Sequence, residues 1–169
     1  RNARSTVCIS TQAGCALGCT FCATRQQGFV RNLSSGEIVA QVLHIIRSAR
    51  LDGAHQRVNS ERKPVTNVVF MGMGEPLANY DATMAAVRTL NDAEGVGIGA
   101  RHITISTVGL VPQIIRLARE PLQINLAVSL HAADDDTRNE TMPINRRYPI
   151  EALITACRRY VEETNRRVF

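Results

Sequence analysis

The stretch Val7-Cys-Ile-Ser-Thr-Gln-Ala-Gly-Cys15-Ala-Leu-Gly-Cys19-Thr-Phe-Cys22 opens on β-branched residues and then sets three cysteines within eight positions. Val7–Thr11 reads as a strand, because Val, Ile and Thr suit pleated backbone, and Gly14, Gly18 and Thr20 make the cysteine-bearing segment after it a loop. Three thiolates so close in sequence can converge only by wrapping one small object, and soft sulfur ligands select zinc or an iron–sulfur cluster. A structural zinc site needs a fourth ligand at short spacing, and the next downstream candidate, His44, falls in the middle of a helical pattern. Three protein ligands instead leave one iron of a 4Fe-4S cluster open to a substrate-like molecule. The bland alternative, three core cysteines or a redox pair, fits a loop rich in turn residues less well.

Outward from this loop, the runs Val65–Met71, His102–Thr107 and Ile124–His131 also read as strands, and a helical pattern comes after every run. Ser34 or Ser35 can cap a helix striped by Ile38, Val42, Ile45, Ile46 and Ala49. Asn79 or Asp81 can cap one that reaches Asp92 with Met84, Val87 and Leu90 on one face. Pro112 suits a first turn ahead of Ile114, Ile115, Leu117 and Ala118. Ile150, Leu153, Ile154, Cys157 and Val161 stripe a last helix to about Thr164, which makes Cys157 an inert core thiol. The βαβαβαβα order implies parallel strands joined by right-handed crossovers, either in a doubly wound sheet or in a piece of a barrel. Leu51–Pro64 is polar and reads as a surface loop, and Arg167-Val168-Phe169 as the start of another strand.

Composition narrows the class. The 169 residues are 44% hydrophobic with a net charge of +5, which excludes disorder, and no apolar run approaches the ~18 residues of a membrane span. An odd count of five cysteines is no secreted disulfide framework, and exposed thiolates point to a reducing cytoplasm. Arg1 opens the chain with neither an initiator Met nor a signal-peptide core, so the gene is expected to begin earlier. All but one of the 20 Lys+Arg residues are arginine, Lys63 being the exception; this permits a nucleic-acid partner without demonstrating one. The pairs Arg146-Arg147, Arg158-Arg159 and Arg166-Arg167 read first as solvated helix faces.

Active sites of parallel α/β folds gather at the carboxyl ends of strands. The second run ends in Gly72-Met73-Gly74-Glu75-Pro76, where glycine lets backbone approach a ligand and Glu75 can accept hydrogen bonds from an ammonium group. The third ends in Ser106-Thr107-Val108-Gly109 and the fourth in Ser129-Leu130-His131. Two residues apart in a strand, Ser129 and His131 would share a face and pair on a ribose or carboxylate. Cys8 points away from Val7 and Ile9, on the face of Ser10.

The Cys-x3-Cys-x2-Cys spacing, with Phe21 before the third cysteine, resembles the signature of the radical S-adenosylmethionine superfamily. That resemblance implies a partial (βα)6 barrel, of which four βα units are present here, and an open iron chelated by the methionine part of S-adenosylmethionine. Adding Cys8-Ile-Ser-Thr-Gln-Ala-Gly-Cys15, Gly-Met-Gly-Glu-Pro-Leu at 72–77, Ser-Thr-Val-Gly at 106–109, Ser-Leu-His at 129–131 and Met-Pro-Ile-Asn at 142–145, the chain closely resembles one family from about Val7 to Tyr160. It is the dual-specificity ribosomal RNA and transfer RNA adenine carbon-2 methyltransferases.

The resemblance implies Cys15, Cys19 and Cys22 as ligands of a 4Fe-4S cluster. It implies Gly74, Glu75, Ser106, Ser129, Leu130 and His131 as contacts of S-adenosyl-L-methionine, and Cys8 as one of two mechanistic cysteines. A second cysteine would carry the methyl group, and Cys8 would help remove the adenine proton and form a disulfide with it. Nothing in this sequence matches that second cysteine, and the N-terminal accessory domain and the last two βα units are expected to lie outside these residues. The 169 residues alone are therefore expected not to methylate RNA. Substrates would be 23S rRNA and tRNA, with an electron donor such as flavodoxin and a cytoplasmic monomer as the working form. The sister enzymes that methylate carbon 8 share these motifs. A zinc-holding RNA-binding module and a radical enzyme acting on a protein or small molecule are the remaining readings.

Overall fold

A computed structural model describes residues 4–51 and 63–169, so the expected surface loop at Leu51–Pro64 lies, apart from its ends, outside the described residues. In chain order the elements are β1 (Thr6–Cys8), β2 (Gln12–Gly14), β3 (Phe29–Asn32), α1 (Ser35–Leu51), β4 (Asn67–Phe70), α2 (Tyr80–Asn91), β5 (Ile103–Thr107), α3 (Val111–Ala118), β6 (Asn125–Val128), α4 (Asp135–Thr141) and α5 (Ile150–Thr164). β1, β4, β5 and β6 form one parallel sheet in that order, with Val7 opposite Val68 and Val68 opposite Ile103. Beyond β6, Val168 bridges Leu126 in parallel, as expected for the start of another strand.

Alternation along the strands decides between the two architectures. Val7, Ile9, Val68, Phe70, Ile103, Ile105 and Leu126 share one face of the sheet and one core with Ile38 and Val42 of α1, Met84 and Val87 of α2, Ile114 and Leu117 of α3, and Leu153 and Tyr160 of α5. The opposite face carries Cys8, Val69, Thr104, Ser106 and Ala127, none of them buried. A doubly wound sheet would cover both faces with helices; helices on one face and small, largely polar residues on the other make a segment of barrel wall. The α/β class and the partial-barrel form of four parallel βα units are thus as the sequence predicts.

The strands are shorter than their β-branched runs, and at the end of β1 a helix side chain is the reason. Ser10 does not continue β1, because Gln41 of α1 accepts from its N–H at 2.9 Å and donates to its carbonyl at 2.9 Å, taking the place of a neighbouring strand. Ser34 is the cap of α1: its Oγ accepts from Glu37 N–H while the Glu37 carboxylate accepts from Ser34 N–H, a reciprocal capping box. Asn79 stands at the start of α2 but does not cap it. Its amide turns inward, donating to the carbonyls of Thr11 and Leu33 at 2.9 and 2.8 Å, so the expected cap is instead a tie between the first strand's extension and the entry to α1.

Gln41→Leu keeps the bulk and leaves both polar groups of Ser10 unpaired in a half-buried place. Urea denaturation of this variant is expected to show a loss of about 1–3 kcal/mol.

Candidate functional site

The cysteines stand on a loop carried by a hairpin that the sequence pattern does not reveal. β2 and β3 pair antiparallel, and Cys15 N–H donates to Gly28 O across their open end at 2.9 Å. Gly14 is indispensable there: at φ +78° its position brings a would-be Cβ to 1.7 Å from Gly28 O. The far side of the loop is docked on the end of α4, where Thr20 N–H donates to Thr141 O at 2.9 Å.

The second strand's end is pressed against this loop. Met73 N–H donates to Ser10 Oγ, and Glu75 N–H to Gln12 Oε1, each at 2.9 Å, while Gln12 Nε2 donates to Asn32 at 2.8 Å. Gln12 therefore joins the hairpin to the Gly-Met-Gly-Glu-Pro segment, and Gly74, at φ +93°, leaves its would-be Cβ only 2.5 Å from Gln12 Cβ. No larger residue fits between them.

Between these segments lies a cavity of about 290 Å³ whose lining includes Cys15, Cys19 and Cys22, Gly74 and Glu75, Ser106 and Ser129. Seven of the ten residues expected in the site thus meet at one place, at the carboxyl ends of β4, β5 and β6. Leu130 is half exposed and outside the lining, and His131 sits against the cysteine loop, its ring 4.4 Å from that of Phe21. Because β6 ends at Val128 and His131 adopts φ +56°, Ser129 and His131 do not share a strand face; the expected pairing is replaced by one cavity-lining hydroxyl and one ring tilted against Phe21 of the loop. Cys8 lies on the sheet face that Ser106 shares, in register with Val69, one pleat toward the amino end from the cavity, and it is exposed.

Glu75 is the most constrained group. It is buried, with one carboxylate oxygen accepting from Leu77 N–H at 3.0 Å and the other from Val108 N–H at 2.9 Å. Burial pushes its carboxyl up to about 7, against the backbone donors that hold it down. Each oxygen keeps a further lone pair, so acceptance from an ammonium group in the cavity remains open to it. Burial and the neighbouring thiols likewise push Cys19 up to about 11.

All five cysteines are free, so the disulfide that the resemblance implies for Cys8 has no partner among the described residues. Cys157 packs against the core, as its stripe requires. Among the described residues no three His, Cys, Asp or Glu side chains converge on one point, as a single ion requires. Three soft sulfur donors line one cavity, a donor set that fits an iron–sulfur cluster.

Two residues of the site carry no signal in the sequence. Arg138 is buried inside the polar run after Ser129, donating to Leu130 O, Asn145 Oδ1 and Val108 O at 3.1, 2.6 and 2.7 Å. Gln12 reads in sequence as an ordinary loop residue. Neither belongs to a periodic pattern; their partners are 7 to 63 residues away.

Comparison with known proteins gives the family. Residues 9–168 match the radical SAM superfamily. The chain is 58% identical over 165 residues to a probable dual-specificity RNA methyltransferase RlmN of Chloroflexus aurantiacus, covering 98% of this chain and 43% of that protein. It is 55% identical to dual-specificity RNA methyltransferase RlmN 1 of Myxococcus xanthus, covering 98% and 44%. A crystal structure of a radical SAM methyltransferase from Sphaerobacter thermophilus superposes with a TM-score of 0.89 at 59% identity, over 98% of this chain and 46% of that one. The chain spans less than half the length of these relatives.

The raised carboxyl of Glu75 makes a pH signature. With its folded value near 7 and an ordinary value of 4.5 unfolded, its protonated form stabilises the fold fully below pH 4.5, and that stability is lost as pH rises through 7. Relative to Glu75→Gln, the native chain is expected to lose up to about 3 kcal/mol between these limits, read from urea midpoints across the range.

Proposed function

The chain belongs to the radical SAM superfamily, and from that membership we propose that it forms the larger part of the catalytic barrel of an RNA methyltransferase acting on carbon 2 of adenosine in 23S rRNA and tRNA. The observation that carries the reading is the single cavity where the three cysteines meet Gly74, Glu75, Ser106 and Ser129. Membership implies a 4Fe-4S cluster and S-adenosyl-L-methionine, which together supply a 5′-deoxyadenosyl radical when bound.

The chain's own residues divide the work. Cys15, Cys19 and Cys22 hold the cluster as thiolates from a loop pinned at Gly14 on one side and at Thr141 on the other. Glu75, prevented from turning by Leu77 and Val108, accepts from the methionine ammonium beside the open backbone of Gly74. Ser106 and Ser129 offer hydroxyls at neighbouring strand ends to carboxylate or ribose oxygens, and Leu130 and His131 are read as further cofactor contacts from the segment that follows Ser129. Cys8, exposed on the shared face below them, helps remove the proton from the adenine carbon in this reading, with a second cysteine supplied from elsewhere in the protein.

RNA as substrate is supported by the names of the relatives. A reducing donor of the flavodoxin kind, a monomeric working form and a cytoplasmic location are part of the same proposal; among the described residues no helix is long and apolar enough to cross a membrane. An accessory N-terminal domain and the remaining βα units belong to the proposal too, in keeping with the short coverage of the relatives.

Anaerobic reconstitution tests the cluster. The chain is expected to take up iron and sulfide with broad visible absorbance, and Cys15→Ala, Cys19→Ala or Cys22→Ala to lose it; stoichiometric zinc without iron would overturn the reading. In the full-length protein, Cys8→Ala is expected to keep cluster content and cofactor binding while released methylated RNA falls by roughly 100-fold or more, the scale of a lost general base. Mass spectrometry of the adenosine product then distinguishes carbon 2 from carbon 8.

A further inference from the structure

Arg138 is 0% exposed, yet every acceptor around it is neutral: the carbonyls of Val108, Ser129 and Leu130 and the side-chain amide of Asn145. Among the described residues no carboxylate stands within ion-pair distance of it, which is unusual for a buried guanidinium. The nearest acid, Asp135, is held off by Asn145, whose amide donates to it at 2.8 Å, and by Ile150 N–H at 2.9 Å. Of the groups that act on Arg138 electrostatically, Asp135 and, when ionised, the Cys19 sulfur are acidic. Its helix also carries the docking contact of the cysteine loop, Thr141 O with Thr20 N–H. The guanidinium is thus fixed by neutral groups on Val108 and Ser129, two residues that line the cavity with the three cysteines, on the helix that docks the cysteine loop.

We propose that Arg138 is a positioning residue of the cysteine loop whose uncompensated charge favours the reduced state of the cluster. The inference rests on the cluster reading of Cys15, Cys19 and Cys22. One electron from the sulfur dioxide radical anion of dithionite enters the cluster, which gains one negative charge; no bond to the protein forms or breaks and no proton moves. A fixed cation in a dry setting stabilises the more negative state, and the neutral acceptors around the guanidinium hold it in place without cancelling it.

The experiment is anaerobic redox titration of the reconstituted full-length protein, with electron paramagnetic resonance of the reduced cluster and with iron and sulfide content measured alongside. Arg138→Met is expected to lower the reduction equilibrium constant about tenfold or more, a shift of about 59 mV or more to negative potential. Arg138→Lys keeps the charge and loses the fork, so its potential is expected to stay near the parent value. If Arg138→Met does not fold, Asp135→Asn decides: it removes the competing negative field and is expected to move the potential upward. An unchanged potential in either variant, with full cluster content, overturns the inference, as does an equal shift in Arg138→Met and Arg138→Lys. A parent protein that takes up no cluster overturns the underlying reading, and this inference with it.

Discussion

Everything at the mouth of this barrel depends on the approach between Gln12 and Gly74. Two chain segments more than sixty residues apart pass so closely that a would-be Cβ on Gly74 lies 2.5 Å from Gln12 Cβ and one on Gly72 lies 2.6 Å from Ser10 Oγ. The closeness lets one glutamine side chain accept from Glu75 N–H and donate to Asn32, so the hairpin bearing the cysteines is tied to the strand end bearing the carboxylate. Any side chain in between would separate them, and the cavity depends on their being adjacent. Packing in such a place is intolerant of even one added carbon.

The barrel wall behind this mouth is stabilised on one side only. Large aliphatic residues from β1, β4, β5 and β6 fill the helix-facing side, whereas the other carries Cys8, Thr104, Ser106 and Ala127, which bury little. That division explains why the sheet can present thiol and hydroxyl groups without forfeiting its stability. The hydrophobic term comes from the outer face and the chemistry from the inner one.

Much of this was legible in the sequence because it is local or periodic. The four parallel strands come from β-branched runs, α5 from a stripe that starts at Ile150, and the loop character of Cys15–Cys22 from its glycines. What was not legible is the set of long-range side-chain contacts with backbone. Asn79 looks like a cap and instead ties two remote carbonyls, and Gln41 ends a strand from a helix later in the chain. The polar run holding Arg138 looks like exposed surface because its composition is that of one. Only the fold shows that a short helix there turns its arginine inward, and that φ +56° at His131 removes the strand geometry on which a Ser129–His131 pair depends.

Val108 shows how the two buried charges of the site divide the task. Its N–H donates to Glu75 Oε2 at 2.9 Å, and its carbonyl accepts from Arg138 Nη2 at 2.7 Å. The acid and the base do not meet; each is satisfied by backbone of the polarity it needs, so neither charge is cancelled by the other. A direct ion pair would stabilise both and leave the cavity electrically quiet. Holding them apart on one residue's backbone keeps the carboxyl on the cavity side, where an ammonium would bind, and the guanidinium on the helix that docks the cysteine loop. The end of β5, rather than either charged side chain, is therefore the rigid reference against which the electrostatics of the site are set.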